Sequence, residues 1–438
     1  MEWVFKRNTM SSIEDYKNYF NEILHKVQPK NLIKNTCNIT EEFIEFNSQK
    51  IYFPKNKKIK LYGSGKAVLN MAEAIFETIP NKIERSVLVG PYDNHLDYEN
   101  LTYIKAGHPL PNDKSIEAGE ILINEFESHN SDDFYIYLLS GGTSALIEKS
   151  TENISLEDFQ ETTDLMLKNA MPIEAINCVR KHISQIKGGR LASFSKAKGV
   201  VIVLSDVLGD DLEAIGSAPL YFDKTSFYDA KQFLQEYQII EKVPFSVKNY
   251  LSKGINGLVD ESPKVQPENL EFLMVGTNKV LLNTAKEVLN SKDINPIILD
   301  KQISKNVDEE VKDILNIITN KQGCFILGGE ATVNVKGNGK GGRNQHLVLK
   351  LLSQFPKNKN LLFLSGASDG IDGNSDAAGA VIDNSILELI ENEKIDINKY
   401  LDNFDSNTLF EKINCLLKSG PSHNNILDLI IINTETKE

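Results

Sequence analysis

The amino-acid sequence predicts an α/β protein built from two α/β domains. From Ile59 onward, short apolar runs alternate with amphipathic helices, which is the pattern of βαβ units and of a mostly parallel sheet. Several of these runs end in polar, glycine-rich loops, the place where open α/β sheets bind their ligands. Residues 1–58 are expected to be mainly helical, because Ile13, Tyr16 and Phe20 follow helical spacing.

Four strands and the helices between them are predicted in the first half of the chain. A helix after the first strand carries Val68, Met71 and Ile75 on one face. Another helix begins at Ser155, where Asp158 completes a pattern that resembles a capping box. The predicted strands span residues 59–62, 86–89, 134–139 and 199–204.

The second half repeats the α/β pattern after a polar stretch. Residues 261–269, ESPKVQPEN, are the predicted linker, because proline, serine and charged residues interrupt the pattern there. We therefore predict an N-terminal domain of residues 1–262 and a C-terminal domain of residues 268–438. The strands of the second domain are predicted at residues 272–275, 296–299, 324–327 and 361–364.

Composition narrows the class of protein. Hydrophobic residues make up 41% and charged residues 25% of the 438 residues, as in an ordinary globular protein. The formal net charge of −13 opposes loose contact with nucleic acid or an anionic membrane surface, so neither partner is expected. No run approaches the ~18 apolar residues that a membrane span needs, and the N-terminal residues contain no apolar signal segment. A cytoplasmic location is therefore expected.

The cysteines and histidines are scattered along the chain. The four cysteines lie far apart and form no C-x-x-C pair, so they suggest neither a zinc site nor a disulfide framework and are expected to be reduced core residues. Among the histidines, His108 lies between Gly107 and Pro109 and is the one we expect in a functional loop. The cysteines are Cys37, Cys178, Cys324 and Cys415.

The stretch of residues 328–345 is predicted to bind an anion. It contains six glycines, two lysines and one arginine between an expected strand and a helix that starts near Asn344. Glycine lets backbone N–H groups approach a ligand closely, and the N-terminal end of a helix favours negative charge. Gly337 and Gly342 have the spacing of a P-loop, but Arg343 follows where that motif needs lysine. We expect either a phosphate site that is not a Walker A loop, or a glycine-rich turn with solvated basic residues.

Two loops of the first half have a similar character. Lys66 follows two glycines at the start of a helix, a position suited to binding a phosphate or carboxylate, although an ordinary surface lysine is the alternative. A dinucleotide fingerprint would also need glycine at the position of Val68, so a nicotinamide cofactor is not expected. Residues 140–144, SGGTS, predict an anion-binding turn rather than a serine nucleophile, because the Gly-x-Ser-x-Gly pattern is absent.

Two acidic clusters are candidates for metal binding. One follows the strand at residues 199–204, and the other lies within residues 368–380. Carboxylate oxygens suit Mg²⁺ beside substrate phosphates, and one aspartate could accept the proton of an attacking hydroxyl. Turn formation and helix capping are the alternative for part of these residues. The clusters comprise Asp206, Asp210 and Asp211, and Asp369, Asp372 and Asp376.

Nine motifs follow one another along the chain in a specific order. They are GSGKA at 63–67, GHPLPN at 107–112, SGGTSAL at 140–146, VRKHISQIKGGRLA at 179–192, LSDVLGDDLEAIGSAP at 204–219, GGEATV at 328–333, GKGGRNQ at 339–345, SDGIDGNSDAAGA at 368–380 and GPSHNN at 420–425. In this order they resemble the glycerate 2-kinase family with a MOFRL-type C-terminal domain. The resemblance covers the chain nearly from end to end.

This resemblance implies a Rossmann-like N-terminal domain, a smaller C-terminal α/β domain and an active cleft between them. It implies a kinase that uses ATP and Mg²⁺ to phosphorylate the 2-hydroxyl of D-glycerate, giving 2-phosphoglycerate and ADP. Lys66 and Arg343 resemble the principal cationic residues of the family, and Asp206, Glu330 and Asp369 resemble its acidic residues. The expected partners are a small-molecule substrate and a nucleotide, and homodimerisation is left open.

The motifs give a set of expected site residues. Catalytic roles are expected for Lys66, Arg343, Asp206 and Asp369, and metal binding for Asp206, Asp369 and Asp372. The sequence does not decide which aspartate accepts the proton. Substrate or phosphate contacts are expected from Gly63, Ser64, Gly65, Ser140, Gly141, Gly142, Thr143, Ser144, Lys187, Glu330, Lys340, Gly341, Gly342, Asn344 and Asn424.

The sequence departs from the family pattern in several loops. Thr143 stands where the family has a glycine, and Ala218 and Leu220 stand where it has a glycine and a hydroxyl residue. Such changes bear on the substrate more than on the reaction. The alternatives are therefore a kinase of another small hydroxy or sugar acid, a hydroxypyruvate reductase, or a nucleotide-binding relative without catalysis.

Overall fold

The computed structural model describes residues 12–93, 96–356 and 358–436. Contacts divide the chain into two compact units, of which Pro29–Gly276 is the first, named here the N-terminal unit. The second, named the C-terminal unit, joins Met1–Gln28 to Thr277–Glu438 and contains the first helix, α1 (Ile13–Lys26). Both units combine helices with a sheet, so the predicted α/β class is confirmed.

The N-terminal unit follows the predicted alternation of strands and helices. Its helices are α2 (Pro29–Thr36), α3 (Val68–Thr78), α4 (Asp113–Glu127), α5 (Thr143–Leu146), α6 (Leu156–Lys168), α7 (Ile173–His182), α8 (Arg190–Ser193), α9 (Phe227–Glu236) and α10 (Phe245–Ile255). Its strands are β1 (Cys37–Ile39), β2 (Phe43–Phe46), β3 (Gln49–Tyr52), β4 (Ile59–Ser64), β5 (Ile83–Gly90), β6 (Leu101–Lys105), β7 (Phe134–Leu139), β8 (Lys198–Leu204) and β9 (Leu270–Gly276). The predicted capping box is present, because the side chain of Ser155 accepts a hydrogen bond from Asp158 N.

A parallel sheet with the order β6-β5-β4-β7-β8-β9 forms the centre of this unit. Every residue of β7 is buried, as expected for a parallel strand covered by helices on both faces. The chain first builds outward from β4 to β6 and then returns to place β7 on the other side of β4. This reversal is a topological switch point of the Rossmann type, and it brings the loops after β4 and β7 next to each other.

The prediction that residues 1–58 are mainly helical is wrong for residues 37–52. There β1, β2 and β3 form a small antiparallel sheet. Asn47 and Ser48 adopt positive φ angles of 48° and 66° at the turn between β2 and β3, a conformation that suits a tight hairpin. Neighbouring strands therefore override the weak helical tendency of this segment.

The C-terminal unit contains a mixed sheet with the order β10-β11-β15-β12-β13-β14. The first pair is parallel and the other pairs are antiparallel, so the expected mostly parallel pairing is wrong for this sheet. Its further helices are α11 (Asn278–Asn290), α12 (Val307–Asn320), α13 (Arg343–Leu352), α14 (Asn384–Glu393), α15 (Ile397–Asp402) and α16 (Ser406–Lys412). Its strands are β10 (Ile297–Ile303), β11 (Gly323–Gly329), β12 (Lys359–Ala367), β13 (Gly379–Asp383), β14 (Leu416–Leu417) and β15 (Asp428–Thr436).

The two compact units do not coincide with the predicted domain boundaries. Helix α1 belongs to the C-terminal unit, where it packs on α11. The predicted linker at residues 261–269 belongs to the N-terminal unit, because β9 follows it and pairs with β8. The unit therefore changes at Gly276, after the last parallel strand, since hydrogen bonding to β8 holds this strand in the first sheet.

Two further expectations concern the chain as a whole. All four cysteines are buried, so they are core residues as expected, and none is joined to another. In the described residues, no helix is both long enough and apolar enough to cross a membrane.

Candidate active site

The loops after β4 and β7 are joined by backbone and side-chain hydrogen bonds. Lys66 N donates to Gly141 O at 2.9 Å, and Ser140 N donates to Ser64 O at 3.1 Å. The hydroxyl of Thr143 donates to the same Ser64 carbonyl at 2.8 Å. The two loops that were predicted separately therefore form one structure at the switch point of the sheet.

Glycine is required where these loops meet. Gly65 has a φ of +132°, and a Cβ atom built there would lie 2.0 Å from Ser140 Oγ. At Gly63 an added Cβ would lie 2.7 Å from Val68 Cγ2. The glycines of the first loop therefore serve close packing, which is a different role from presenting N–H groups to a ligand.

Three side chains with useful chemistry surround Gly141 and Gly142. A Cβ atom on Gly141 would lie 2.0 Å from Asp206 Oδ2, so this carboxylate covers the glycine. A Cβ atom on Gly142 would lie 3.1 Å from His108 Cδ2 and 3.2 Å from Lys66 Cγ. The tertiary structure thus brings together a lysine, an aspartate and a histidine from three separate loops.

Burial shifts the pKa of two of these side chains. The pKa of Asp206 is raised because its carboxylate is desolvated, while the charge of Lys66 acts in the opposite direction. The pKa of His108 is lowered to about 4 by burial and by the charge of Lys66, so the imidazole is neutral near pH 7. A carboxylate with a raised pKa is suited to accept a proton from the hydroxyl group of a substrate, and the neighbouring lysine suits a substrate that is an acid.

Two of the expected substrate contacts bind other groups of this unit. The Ser144 carbonyl accepts a hydrogen bond from Arg180 Nη2 at 2.8 Å, and the Arg180 side chain is buried. Lys187 is 1% exposed, and its Nζ donates to Glu148 Oε2 at 2.6 Å and to Ile147 O at 3.1 Å. Lys187 therefore makes a structural contact beneath the loop, and its burial leaves no surface for the substrate contact that was expected.

Arg343, one of the expected catalytic cations, lies in the C-terminal unit. It begins α13, and its guanidinium donates to both carboxylate oxygens of Asp428, at 2.6 and 2.9 Å. Its third nitrogen lies 2.8 Å from Glu330 Oε1. Burial alone would lower the pKa of Arg343, but the hydrogen bond and charge of Asp428, with the charge of Glu330, raise that pKa above its usual value. Arg343 is therefore a permanent cation held in one orientation.

Asp428 was not among the expected site residues. It belongs to no glycine-rich loop and begins strand β15. The sequence feature that could have revealed it is a single carboxylate within an apolar run, ILDLIII at residues 426–432. An unpaired charge in a buried strand is energetically costly. Such a residue implies a buried cationic partner, which here is Arg343.

Much of the hydrogen-bonding capacity of the predicted anion loop is taken up by the protein itself. The N–H groups of Lys340 and Gly341 donate to side-chain oxygens of Asp405 and Asn374, at 2.9 and 2.8 Å. The Lys340 ammonium lies at the surface, 2.9 Å from Asp376 Oδ1. These contacts account for the backbone conformation of the loop without a bound phosphate.

The N-terminal end of α13 is also capped by the protein. Asp372 accepts hydrogen bonds from Asn344 N at 3.0 Å and from Gln345 N at 2.8 Å. A Cβ atom on Gly342 would lie 2.3 Å from Asp372 Oδ1, so glycine is needed for this close approach. The buried carboxylate thus takes the position in which a phosphate was expected, and the same packing buries Asn344. Burial raises the pKa of Asp372 to about 6, although these two backbone bonds act in the opposite direction.

The loop that follows β12 pairs with the GPSHNN loop. Asp369 Oδ1 accepts a hydrogen bond from Ile371 N at 3.0 Å, and Asp369 O accepts one from Ser422 N at 2.9 Å. Asn424 is buried, and its side-chain amide donates to Val27 O. Asp369 is partly exposed at the carboxyl end of β12, whereas the contacts of Asn424 are structural.

The acidic residues differ in their suitability for Mg²⁺. In the part of the chain that the structure describes, no group of three or more His, Cys, Asp or Glu side chains is placed to hold a metal ion. Mg²⁺ commonly needs only one or two carboxylates together with substrate phosphates. Asp369 is partly exposed and could supply one such oxygen. Asp206 is also partly exposed as a residue, although surrounding groups desolvate its carboxylate, and could supply another. Asp372 does not fit, because both of its oxygens accept backbone hydrogen bonds and it is buried.

Fold and site together place this chain in a class of two-unit α/β proteins. Proteins of this class have a Rossmann-type unit with a lysine and an aspartate at the switch point, and a second α/β unit with an arginine held by carboxylates. Residues 15–252 match the model described as a domain of unknown function, DUF4147, and residues 323–428 match the MOFRL family. The chain belongs to the glycerate 2-kinase family, which confirms the resemblance seen in its motifs.

Relatives of this chain extend over nearly its whole length. The glycerate 2-kinase of Pyrococcus horikoshii is 33% identical over 94% of each chain. The D-glycerate 2-kinase of Thermotoga maritima is 36% identical over 85% of this chain and 90% of its own. A crystal structure of glycerate kinase from Thermotoga maritima is similar with a TM-score of 0.83 and 32% identity, covering 96% of this chain and 100% of that chain.

Proposed function

We propose that this protein is an ATP-dependent kinase that phosphorylates the 2-hydroxyl of D-glycerate, giving 2-phosphoglycerate and ADP. The observation that carries the proposal is the meeting of Lys66, Asp206 and His108 around Gly141 and Gly142 at the switch point. A small hydroxy acid needs a cation for its carboxylate and an acceptor for its hydroxyl proton, and this cluster supplies both. The names of the relatives from Pyrococcus horikoshii and Thermotoga maritima support D-glycerate as the acid.

In the proposed mechanism, Asp206 accepts the proton of the 2-hydroxyl. The oxygen then attacks the γ-phosphorus of ATP in line, the new O–P bond forms, and the bond to the β-phosphate oxygen breaks with its electron pair leaving on ADP. Asp206 suits this role because burial raises its pKa and because it covers the glycine turn against which the substrate would lie. Lys66 offsets negative charge in this region, and neutral His108 adds none.

Arg343 is proposed to offset the charge that develops on the transferring phosphoryl group. Its bonds to Asp428 and Glu330 fix its orientation before any ligand arrives, which is the condition for electrostatic stabilisation of a transition state. Asp369 is proposed to help hold Mg²⁺, with Asp206 as the alternative ligand. When bound with the nucleotide, Mg²⁺ supplies further charge compensation for the phosphate oxygens.

An ADP-release assay tests the reaction. Purified protein is supplied with ATP, Mg²⁺ and one of D-glycerate, L-glycerate, tartronate or a four-carbon sugar acid, and the product is located by phosphorus NMR. Release with D-glycerate and a phosphate on its 2-hydroxyl is the expected result. Preference for another acid would replace the proposed substrate, and NADH oxidation with hydroxypyruvate, without ADP release, would replace the kinase by a reductase.

Variants of Arg343 and Asp206 test the assigned roles. Arg343→Gln should lower kcat on the order of 100-fold or more, because the lost charge acts in the transition state. Asp206→Asn should lower kcat with little change in the KM for ATP, because it removes the proton acceptor. A rise in KM with unchanged kcat in the Arg343 variant would contradict its role in the chemical step.

A further inference from the structure

The C-terminal unit contains a cavity to which the proposed mechanism assigns no ligand. Its volume is about 550 Å³, within the usual range of small-ligand pockets. It lies between residues 330–335, the glycine loop at residues 339–343, and Phe404 with Ser406. Arg343 is one of its lining residues, so the cavity adjoins the cation that is proposed to act on the transferring phosphoryl group.

One wall of this cavity is a stacked pair of rings. The centroids of His346 and Phe404 are 4.5 Å apart, and their planes differ by 10°. Burial lowers the pKa of His346 to about 4, so the ring is uncharged near pH 7. Among the described residues, its buried Nδ1 has no hydrogen-bond partner. The wall is therefore neutral and aromatic.

Phe404 adopts an unusual backbone conformation at this wall. Its φ is +55°, in the left-handed region that phenylalanine rarely adopts. The neighbouring backbone is held by the glycine loop, because a Cβ atom on Gly339 would lie 2.5 Å from Asp405 Cα. Strain of this kind, fixed by the surrounding structure, is typical of residues that contact a ligand.

The rest of the lining is mainly apolar, with a few polar groups. Ala331 is buried, Val335 is 63% exposed, and Asn374 and Ser406 supply hydrogen-bonding atoms. Glu330 and Thr332 also line the cavity. An aromatic wall, aliphatic contacts and a few polar groups suit a planar heterocycle. A three-carbon hydroxy acid would leave most of this space and apolar surface unused.

We propose that this cavity binds the base and ribose of the nucleoside triphosphate, with the phosphates directed towards Arg343. The inference rests on the proposed function, since it assigns the phosphate donor of that reaction to a particular site. Its lining matches the two chemically different parts of a nucleotide, because it combines apolar and aromatic residues with an arginine. A second cavity of about 460 Å³ lies beyond the ring pair, but it is lined by more charged groups, including Asp308 and Lys350, and lacks the arginine.

Protection of an introduced cysteine tests this site. Val335→Cys places a thiol on an exposed wall of the cavity, and the four native cysteines are buried and should not react with a maleimide. Val265→Cys is the matched control, because Val265 is 77% exposed and lies in the N-terminal unit. Labelling rates are measured for both variants with ADP, pyrophosphate or D-glycerate, and ADP binding is measured by calorimetry on the same samples.

The expected result is that ADP slows labelling at position 335 by about tenfold or more at saturation, since an occupied site excludes the reagent. Pyrophosphate and D-glycerate should protect little, and labelling at position 265 should not change.

Protection by pyrophosphate equal to that by ADP would limit the site to phosphate and overturn the assignment of the base. Absence of protection at saturating ADP, or failure of ADP to bind at all, would overturn the site. Because labelling needs no turnover, ADP protection without phosphorylation of D-glycerate would reject only the proposed reaction.

Kinetics provide a second readout. Phe404→Ala should raise the KM for ATP by about tenfold, because a base loses its stacking surface, and should leave the KM for D-glycerate unchanged. An equal rise in both KM values would indicate general damage to the C-terminal unit. It would therefore count against the ring pair as a nucleotide contact.

Discussion

Arg343 and Asp428 show how individual residues position a charge. Both oxygens of Asp428 are used by the guanidinium, and Asp428 itself is buried at the start of β15. A bidentate pair fixes the plane of the guanidinium as well as its position. Asp428 is therefore a positioning residue for the cation that we place at the transferring phosphoryl group.

Asp428→Asn should lower kcat by about tenfold or more, with a smaller effect on the KM for D-glycerate. The amide can accept from only one of the two N–H groups, so the guanidinium loses its fixed orientation in the transition state. Steady-state kinetics with circular dichroism of the folded protein measure the effect. Asp376→Asn is the control, because Asp376 pairs with Lys340 and Lys418 at the surface, and it should change kcat by less than about twofold. Equal losses in the two variants would contradict the positioning role.

Glu261 couples the stability of the N-terminal unit to pH. It accepts hydrogen bonds from Phe227 N and Ser262 N, both at 3.0 Å, and lies 2.9 Å from His182 Nε2. Burial alone would raise its pKa, but the bonds to His182 and the backbone dominate and lower that pKa to about 2. A carboxyl group whose pKa is lowered on folding stabilises the folded state above its unfolded pKa, and this contribution is lost as the pH falls towards the folded value.

Glu261→Gln should therefore reduce the pH dependence of stability between about pH 4.5, near the pKa of an unfolded glutamate, and about pH 2. The free energy of unfolding in urea, measured at several pH values in this range, should fall more steeply for the natural protein than for the variant. Glu236→Gln, at an exposed position, provides the comparison and should keep the natural slope. Parallel curves for the natural protein and Glu261→Gln would show that Glu261 does not carry this dependence.

At the scale of elements, a buried ion pair supports the loop at residues 140–144. Glu148 follows α5, and Lys187 lies between α7 and α8, and the two side chains are joined at 2.6 Å. Ser184 also donates to Glu148 Oε1 at 2.6 Å. These contacts join the segment before α8 to the short helix that begins at Thr143, and they explain why a lysine within a KGGR motif is not at the surface.

Lys187→Met should lower the free energy of unfolding by about 3–5 kcal/mol, because Glu148 is left buried without its cation. Lys224→Met removes one member of the surface pair with Glu213 and should lower the free energy of unfolding far less than Lys187→Met does. Unfolding in urea measures both variants. A small loss of stability combined with loss of kinase activity in Lys187→Met would favour the substrate contact that the sequence suggested.

The altered loop at residues 216–220 is also explained by packing between elements. Ala218 and Leu220 are buried, and the Ala218 carbonyl accepts a hydrogen bond from Gly189 N at 2.7 Å. A Cβ atom on Gly216 would lie 2.8 Å from Thr143 Cβ. The departures at Thr143, Ala218 and Leu220 therefore lie within one packed region, where changes in neighbouring side chains can compensate one another.

At the scale of the whole molecule, the C-terminal unit is assembled from both ends of the chain. The buried face of α1 includes Tyr16, Phe20 and Ile23. A Cβ atom on Gly366 in β12 would lie 2.6 Å from Phe20 Cζ, so this ring packs directly on the sheet. The division into two units thus predicts that a destabilising substitution in α1 weakens the sheet of the C-terminal unit.

Phe20→Ala should destabilise the C-terminal unit by about 3–5 kcal/mol, because it leaves a cavity against β12. Hydrogen–deuterium exchange should become faster in β12 and β15 and remain unchanged in β4 and β7. Phe126→Ala, at a buried position in the core of the N-terminal unit, should give the opposite pattern. Faster exchange in β4 and β7 after Phe20→Ala would contradict the observed membership of α1.

The sequence by itself determined the α/β class, eight of the strands from residue 59 onward, and the loops that hold Lys66, Asp206 and Arg343. These features depend on local periodicity and on side-chain chemistry, which neighbouring residues along the chain encode. The sequence did not predict β6, β13, β14 or β15. Only the tertiary structure decided which partners the buried charged groups have, as the pairs Lys187–Glu148 and Arg343–Asp428 show. It also decided that Asp372 caps α13 where a phosphate was expected, and that α1 belongs to the C-terminal unit. The physical reason is that burial and hydrogen bonding depend on residues far apart in sequence, which no local pattern specifies.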